Sequence, residues 1–163
     1  MASLSDELVR QLLDGRYVAT LGTEHPSGFI HLVAVWFHFD GTHLFVATSS
    51  RSRKARNMNA NAKVSLMIDS RDTSASRGVT IVGTGELLTG ELSQRWNAQI
   101  HQKYLSSAAL ADTRVGAVFA AWDDATIRVT PSSVIAWDMR EADEQVFGGA
   151  MRENPTYLLP LER

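Results

Sequence analysis

The sequence predicts a mainly β domain, a small closed or partly closed barrel of six or seven strands carrying three short helices. Three observations predict it. Short apolar runs rich in β-branched and aromatic residues recur between turn signals. Three stretches in the gaps between them switch to helical spacing. No linker and no internal repeat divides the 163 residues. A chain of this length lies within the ~100–200 residues of one domain and buries roughly two thirds of its unfolded surface. It needs no metal or disulfide to hold a core, and one domain is expected over 1–163.

Ser5-Asp6-Glu7 opens a first helix, with Leu8, Leu12 and Leu13 at helical spacing and Gly15 as its stop. Tyr17 to Thr23 reads as a strand, and His25-Pro26-Ser27-Gly28 as the turn after it. Phe29 to Phe39 is a long, almost wholly apolar run whose composition favours a central strand. Strand alternation puts Val33, Val35 and Phe37 on one face and Ala34, Trp36 and His38 on the other. Asp40-Gly41 signals a hairpin into the strand His43 to Thr48. Ser49 to Asn61 then turns helical, with Ala55, Met58 and Ala62 on one face. Lys63 to Asp69 returns to strand, residues 70–78 form a polar loop, and Val79 to Leu88 is the next strand. Gly83 and Gly85 mark a bulge or a close backbone approach within it. Glu91 to Leu105 is the third helix, amphipathic through Leu92, Trp96, Ile100 and Tyr104. Val115 to Trp122, Thr126 to Val129 and Ser133 to Trp137 complete the strands, with Pro131 between the last two. A charged tail, 140–163, holds Pro155 and Pro160.

Composition removes several function classes. Zero cysteines exclude disulfides, thiolate metal sites, cysteine nucleophiles and iron–sulfur clusters. No run approaches the ~18 apolar residues of a membrane span. The first residues carry acids and no apolar stretch, so no secretory signal is read there and a cytoplasmic protein is expected. A net charge of −2 gives no global reason to expect nucleic acid. The five histidines lie apart from any cluster of carboxylates, and His31 and His38, seven apart on one strand, point to opposite faces; no metal site is expected. No Gly-x-Ser-x-Gly elbow supports a serine triad. Asp123-Asp124 reads as a surface turn, Trp96 and Tyr104 as packing residues, and Trp122 and Trp137 as core, dimer contact or ligand lid.

Local charge is more informative than net charge. Gly41 to Ile68 contains no acid, yet holds Arg51, Arg53, Lys54, Arg56 and Lys63. Four of these cations fall within six residues, where Thr48-Ser49-Ser50 leads into a helix. Hydroxyls, free backbone N–H groups and cations meeting at a helix start suit a phosphate. The plain alternative is a solvated helix end. A planar ligand would find a wall in the preceding long strand, although a core strand covered on both faces reads the same way.

The order of these elements carries a resemblance. Phe29–Phe39, Leu44-Phe45-Val46-Ala47-Thr48, Arg51-Ser52-Arg53-Lys54-Ala55-Arg56-Asn57-Met58, Val82-Gly83-Thr84-Gly85-Glu86 and Ile127-Arg128-Val129-Thr130-Pro131 follow one another. In that order they resemble the pyridoxamine 5′-phosphate oxidase-like, FMN-binding split β-barrel family, over residues ~8–138. The resemblance implies a Greek-key-like split barrel of antiparallel strands that works as a homodimer, with flavin in the cleft between subunits. It implies phosphate contacts from Ser52, Arg53 and Lys54, with Thr48 and Ser49 on the strand entering the loop. Ala34, Val35, Trp36 and Phe37 would line the flavin ring, with Thr84 near it. The implied activity is an FMN-dependent oxidoreductase passing hydride to or from a small-molecule substrate. Relatives that use the deazaflavin coenzyme F-420, and others that bind flavin or haem without turnover, stand as alternatives. The carboxy-terminal Arg-x-His substrate motif of true pyridoxamine phosphate oxidases is missing, which argues against that particular substrate. No side chain presents itself as a nucleophile or redox group, so no catalytic residue is assigned and any redox turnover must run through the cofactor.

Overall fold

A computed structural model describes residues 2–72 and 76–159. Met1, part of the expected polar loop (73–75) and the end of the tail (160–163) lie outside the described residues. Seven strands form one antiparallel sheet: β1 (Ala19–Glu24), β2 (Ile30–Val35), β3 (Phe37–Phe39), β4 (Leu44–Thr48), β5 (Lys63–Asp69), β6 (Arg77–Thr89) and β7 (Ala125–Asp138). Their order is β2-β1-β5-β6-β7-β4-β3. The two ends of this order are consecutive pieces of the long apolar run, which breaks at Trp36. Val35 pairs with Ala19 on one side of the break, and Phe37 with Val46 on the other. One run of chain thus serves both edges of the sheet, and the barrel is split where it changes partner.

The inner face of that barrel is the main core. Leu21, Val35, Phe37, Leu44, Val46, Leu66, Ile68, Ile81 and Ile127 are buried in it, each contributing about 1.5–3 kcal/mol by leaving water. Helix α1 (Glu7–Asp14) packs against it through Val9, Leu12 and Leu13. Gly15 ends that helix with φ −69°, an ordinary extended conformation. Its missing side chain makes room for Tyr17, whose ring would lie 2.4 Å from a Cβ there. The hairpin at Asp40-Gly41 forms as expected, with Gly41 at φ +103° and Asp40 Oδ1 accepting from the Thr42 and His43 amides at 2.8 and 2.7 Å.

Three expectations are corrected. Val115 to Trp122 is a helix, α5 (Gly116–Trp122), preceded by the short α4 (Ser107–Ala111). Both neighbours of β7 are already occupied by β6 and β4, so the sheet has no place beside β7 for another strand. The two strands expected around Pro131 are one, β7, in which Gly83 opposes Pro131 and Val82 opposes Ser133. Ser132 is the extra residue of a bulge, and its hydroxyl donates to Val82 O at 3.0 Å. A proline, with no N–H to give the ladder, is tolerated at such a place. Helix content exceeds three. Besides α1, α2 (Arg53–Ala60) and α3 (Gly90–Tyr104), the charged tail contributes α6 (Met139–Phe147) and α7 (Ala150–Glu153), making seven α-helices among the described residues.

Helix α3 lies across the outside of β4 and buries a face that hydropathy does not select. Leu92 is exposed, whereas Ser93, Asn97, Ile100 and His101 are buried. Trp96 stacks on Phe45 with centroids 3.7 Å apart, so β4 is covered on both faces. The outward side chains Ile30, Leu32 and Ala34 of β2, by contrast, are exposed, Leu32 by 65%.

Candidate functional site

The loop joining β4 to α2 is stitched by its own hydroxyls. Thr48 and Ser52 share a hydrogen bond at 2.9 Å, and Ser52 Oγ caps α2 by accepting from the Ala55 amide at 3.2 Å. Helix α2 then distributes the basic run around its axis. Arg53 and Arg56, one turn apart, line a cavity of about 370 Å³ with His25, Pro26 and Asn57. Lys54 points instead into a separate cavity of about 420 Å³, bounded by Val18, Ala34, Val35, Trp36, Ala47, Phe119 and Asp123. The Lys54 ammonium makes no ion pair among the described residues, and burial holds its pKa below the usual lysine range, with Asp123 opposing that shift.

Two carboxylates stand beside this loop, and no local reading of the basic stretch anticipates them. Asp123 and Asp124 follow α5, where β7 begins. The Ser50 amide and hydroxyl both donate to Asp124 at 2.6 Å, which keeps the Asp124 carboxyl below its ordinary range. Asp123 is no bare surface turn. Its Oδ2 lies 2.8 Å from His101 Nε2, and its main-chain carbonyl accepts from Asn97 Nδ2 at 2.6 Å. Asn97 belongs to a buried polar cluster. Its Oδ1 accepts from Thr126 Oγ1 at 2.6 Å, and Thr126 and Ser93 share a hydrogen bond at 2.9 Å.

Aromatic rings close the other side of the cavity. Trp36 stacks with Tyr104, 5.0 Å away and nearly parallel, and with Phe119, 5.3 Å away. A planar ligand is offered walls from the Ala34–Val35 strand, Val18 and Ala47 beside this stacked group. Tyr104 also donates to Tyr17 O at 2.6 Å, and burial raises its phenol to about 12.

Of the residues singled out in the sequence, Ala34, Val35, Trp36 and Lys54 meet in one cavity, and Thr48, Ser49 and Ser52 form the loop entering α2. Arg53 faces the neighbouring cavity. Phe37 points into the barrel core, beneath Lys103 Nζ, which sits 4.1 Å from its ring centre. Thr84 lines a larger groove of about 720 Å³ on the outer sheet face, with Ile30, Leu32, Met67 and Val82. His38 turns away from the Lys54 cavity, toward Trp96 and Lys103. Among the described residues no group of three or more His, Asp or Glu could hold a metal ion, and no helix is long and apolar enough to cross a membrane. Sequence reasoning missed Val18, Ala47, Phe119 and Asp123. Phe119 and Asp123 arrive from a helix read as a strand and from a turn read as solvent-exposed.

The family model described as pyridoxamine 5′-phosphate oxidase matches residues 5–138. The chain belongs to the pyridoxamine 5′-phosphate oxidase family. No curated protein matches it in sequence. Solved structures share this family member's fold. The conserved hypothetical protein Rv2991 from Mycobacterium tuberculosis is 21% identical, with a TM-score of 0.70 over 86% of this chain and 88% of that one. An F420 reductase is 24% identical, with a TM-score of 0.60 over 77% of this chain and 94% of the other. HutZ, the haem storage protein from Vibrio cholerae, is 18% identical, with a TM-score of 0.61 over 78% of this chain and 90% of HutZ. The split barrel expected from element order is thus the fold observed.

Proposed function

We propose that this member of the pyridoxamine 5′-phosphate oxidase family is an FMN-dependent oxidoreductase acting on a small-molecule substrate. The observation that carries the proposal is the unpaired, half-buried Lys54 ammonium at the end of a cavity walled by Ala34, Val35, Ala47 and Val18. Such a cation is in no ion-pair contact among the described residues, and a phosphate supplies one; the apolar walls suit a flat heterocycle. The residues present therefore fit the cofactor. Lys54 would hold the phosphate, with the Ser49 and Ser52 hydroxyls on the loop that leads to it and Arg53 adding positive charge from the neighbouring cavity, while the β2 strand and Val18 would exclude water from the ring. Bound flavin supplies hydride transfer; the chain supplies position and a dry wall.

A second reading has its own support. Arg53, Arg56 and His25 line a basic cavity beside the first, which would suit the longer anionic tail of coenzyme F-420. A haem-binding role has less support, since neither His101, tied to Asp123, nor His38 opens into the Lys54 cavity.

The absorbance spectrum of the purified protein tests cofactor identity directly, a flavin band and a deazaflavin band being distinct. Titration tests the site. A charge-assisted hydrogen bond contributes about 1.5–3 kcal/mol, so Lys54→Ala is expected to weaken FMN by about tenfold or more and to leave riboflavin nearly unchanged. Equal affinity of parent and variant for FMN would sink the assignment.

We propose further that the chain is a homodimer. Ile30, Leu32, Met67, Val82 and Ile135 are exposed on the outer face of the sheet, around the 720 Å³ groove. A contiguous apolar face of this kind is commonly covered by a second copy. Light scattering is expected to give about twice the 18.0 kDa chain mass, and Leu32→Glu to give a monomer. A monomeric parent at micromolar concentration overturns this.

A further inference from the structure

The cavity that Lys54 lines also holds a carboxylate whose hydrogen bonding is half complete. Asp123 Oδ2 is held by His101 Nε2 at 2.8 Å, but no hydrogen bond reaches Oδ1 among the described residues. The carboxylate is not free to turn away. Asn97 pins its main-chain carbonyl at 2.6 Å, and Asp124, the next residue, is fastened to Ser50 on the other side of the chain. His101 is itself 95% buried and packs against Phe119, so it fixes the plane of the carboxylate from behind. No ion pair joins Asp123 to Lys54. The cavity therefore presents unsatisfied donors on Lys54 and an unsatisfied acceptor on Asp123.

That combination discriminates between ligands. A fixed carboxylate repels a bare phosphate drawn toward Lys54 in the same cavity, because like charges oppose each other. The same carboxylate attracts a hydroxyl, since a hydrogen bond to an ionised acceptor is among the stronger ones. A ligand satisfies both groups if it carries an anion with hydroxyls close along the chain. We infer that Asp123, positioned by His101, is a specificity-determining residue that accepts a hydrogen bond from a ligand hydroxyl, so that the site selects polyol phosphate esters over phosphate alone. The inference rests on the reading of the Lys54 cavity as the phosphate end of the site. It adds the residue that reads the hydroxyls next to that phosphate.

Calorimetric titration of the full-length protein with four probes tests it: FMN, riboflavin, lumiflavin (the same ring without the polyol) and inorganic phosphate. In the parent, riboflavin is expected to bind about tenfold or more tighter than lumiflavin. In Asp123→Asn that preference shrinks toward parity, while inorganic phosphate binds about two- to threefold tighter than to the parent. The opposite signs separate recognition from a structural role, in which every probe would weaken together. His101→Gln, which leaves the carboxylate in place but loosens it, is expected to give a smaller loss of the riboflavin preference. An undiminished preference in Asp123→Asn, or weaker phosphate binding by it, overturns the inference and leaves the cofactor assignment standing. If Asp123→Asn fails to fold, the parent decides: equal affinity for riboflavin and lumiflavin overturns the inference. A parent that binds phosphate but no flavin overturns both the inference and the FMN reading. A parent that binds none of the four removes the anion site itself.

Discussion

The buried cluster behind Asp123 makes a demanding prediction, because Asn97 spends its whole amide on it. Asn97 is 3% exposed. Its Nδ2 reaches Asp123 O at 2.6 Å and Ala125 O at 3.1 Å, and its Oδ1 accepts from Thr126 Oγ1 at 2.6 Å. Asn97→Leu keeps roughly the shape and removes every one of these bonds. Thr126 Oγ1 retains the Ser93 carbonyl at 3.1 Å, so the groups that lose their amide donor are the carbonyls of Asp123 and Ala125, just before and at the start of β7. Leaving a buried acceptor unpaired costs about 1–3 kcal/mol. Allowing for partial access of water to Asp123, a total of about 3–4 kcal/mol follows. For a chain of this size each kcal/mol moves the melting temperature by about 2–4 °C, so a drop of about 6–16 °C is expected. Thermal melts followed by far-UV circular dichroism at pH 7 would measure it. A variant melting within about 2 °C of the parent would refute the reasoning, since the amide would then be exchanging its partners freely with water.

Two further expectations follow from packing and charge. Burial lowers Lys103 to about 8, with Asp14 opposing, against an ordinary value of 10.5. Below pH 8 the folded state carries the full cost of the desolvated charge. Between about pH 8 and 10.5 the unfolded chain binds more protons, so this contribution to stability improves as pH rises. Urea midpoints of the parent should therefore gain on those of Lys103→Met between pH 8 and 9.5; a constant difference would contradict the assigned burial. At the β6–β7 bulge, a Cβ on Gly83 would lie 2.2 Å from Thr130 O, a backbone atom that cannot yield, whereas one on Gly85 would meet the flexible end of Met58. Gly83→Ala is expected to cost at least about 2 kcal/mol and Gly85→Ala distinctly less, and equal urea midpoints for the two would contradict that account of the bulge.

The strands were legible wherever one face of the sheet is wet. Lys63–Asp69 alternates strictly between exposed and buried, and its predicted bounds are those observed. The Phe29–Phe39 run was legible as a strand with Val33, Val35 and Phe37 on one face, and the structure makes that face the inner one. Its break at Trp36 was not, because only the pairing partners, Ala19 before and Val46 after, reveal it. The run Val115–Trp122 is short and apolar without a clear period, and such runs do not separate strand from helix locally. Helix α3 misleads differently. Its buried face carries Ser93, Asn97 and His101, whose polarity is satisfied by residues more than twenty positions away, so hydropathy puts that face in water.

The charge of the candidate site shows most sharply where local reading stops. An acid-free stretch with five cations argues for an anion site, and along the chain that argument is sound. The register of the sheet changes its terms. Strand β7 pairs antiparallel with β4 so that Ala125 opposes Thr48. The residues just before Ala125 must then run alongside those just after Thr48, which sets Asp124 and Asp123 against Ser50 and the start of α2. No substitution within Gly41–Ile68 could alter this, because the acids come from the other strand of the ladder. One of them is consumed by the Ser50 amide and hydroxyl; the other is turned by His101 toward the cavity that Lys54 enters. What composition presents as a uniformly positive loop is, in the folded chain, a donor and an acceptor facing one cavity, and a ligand that fits it has to answer both.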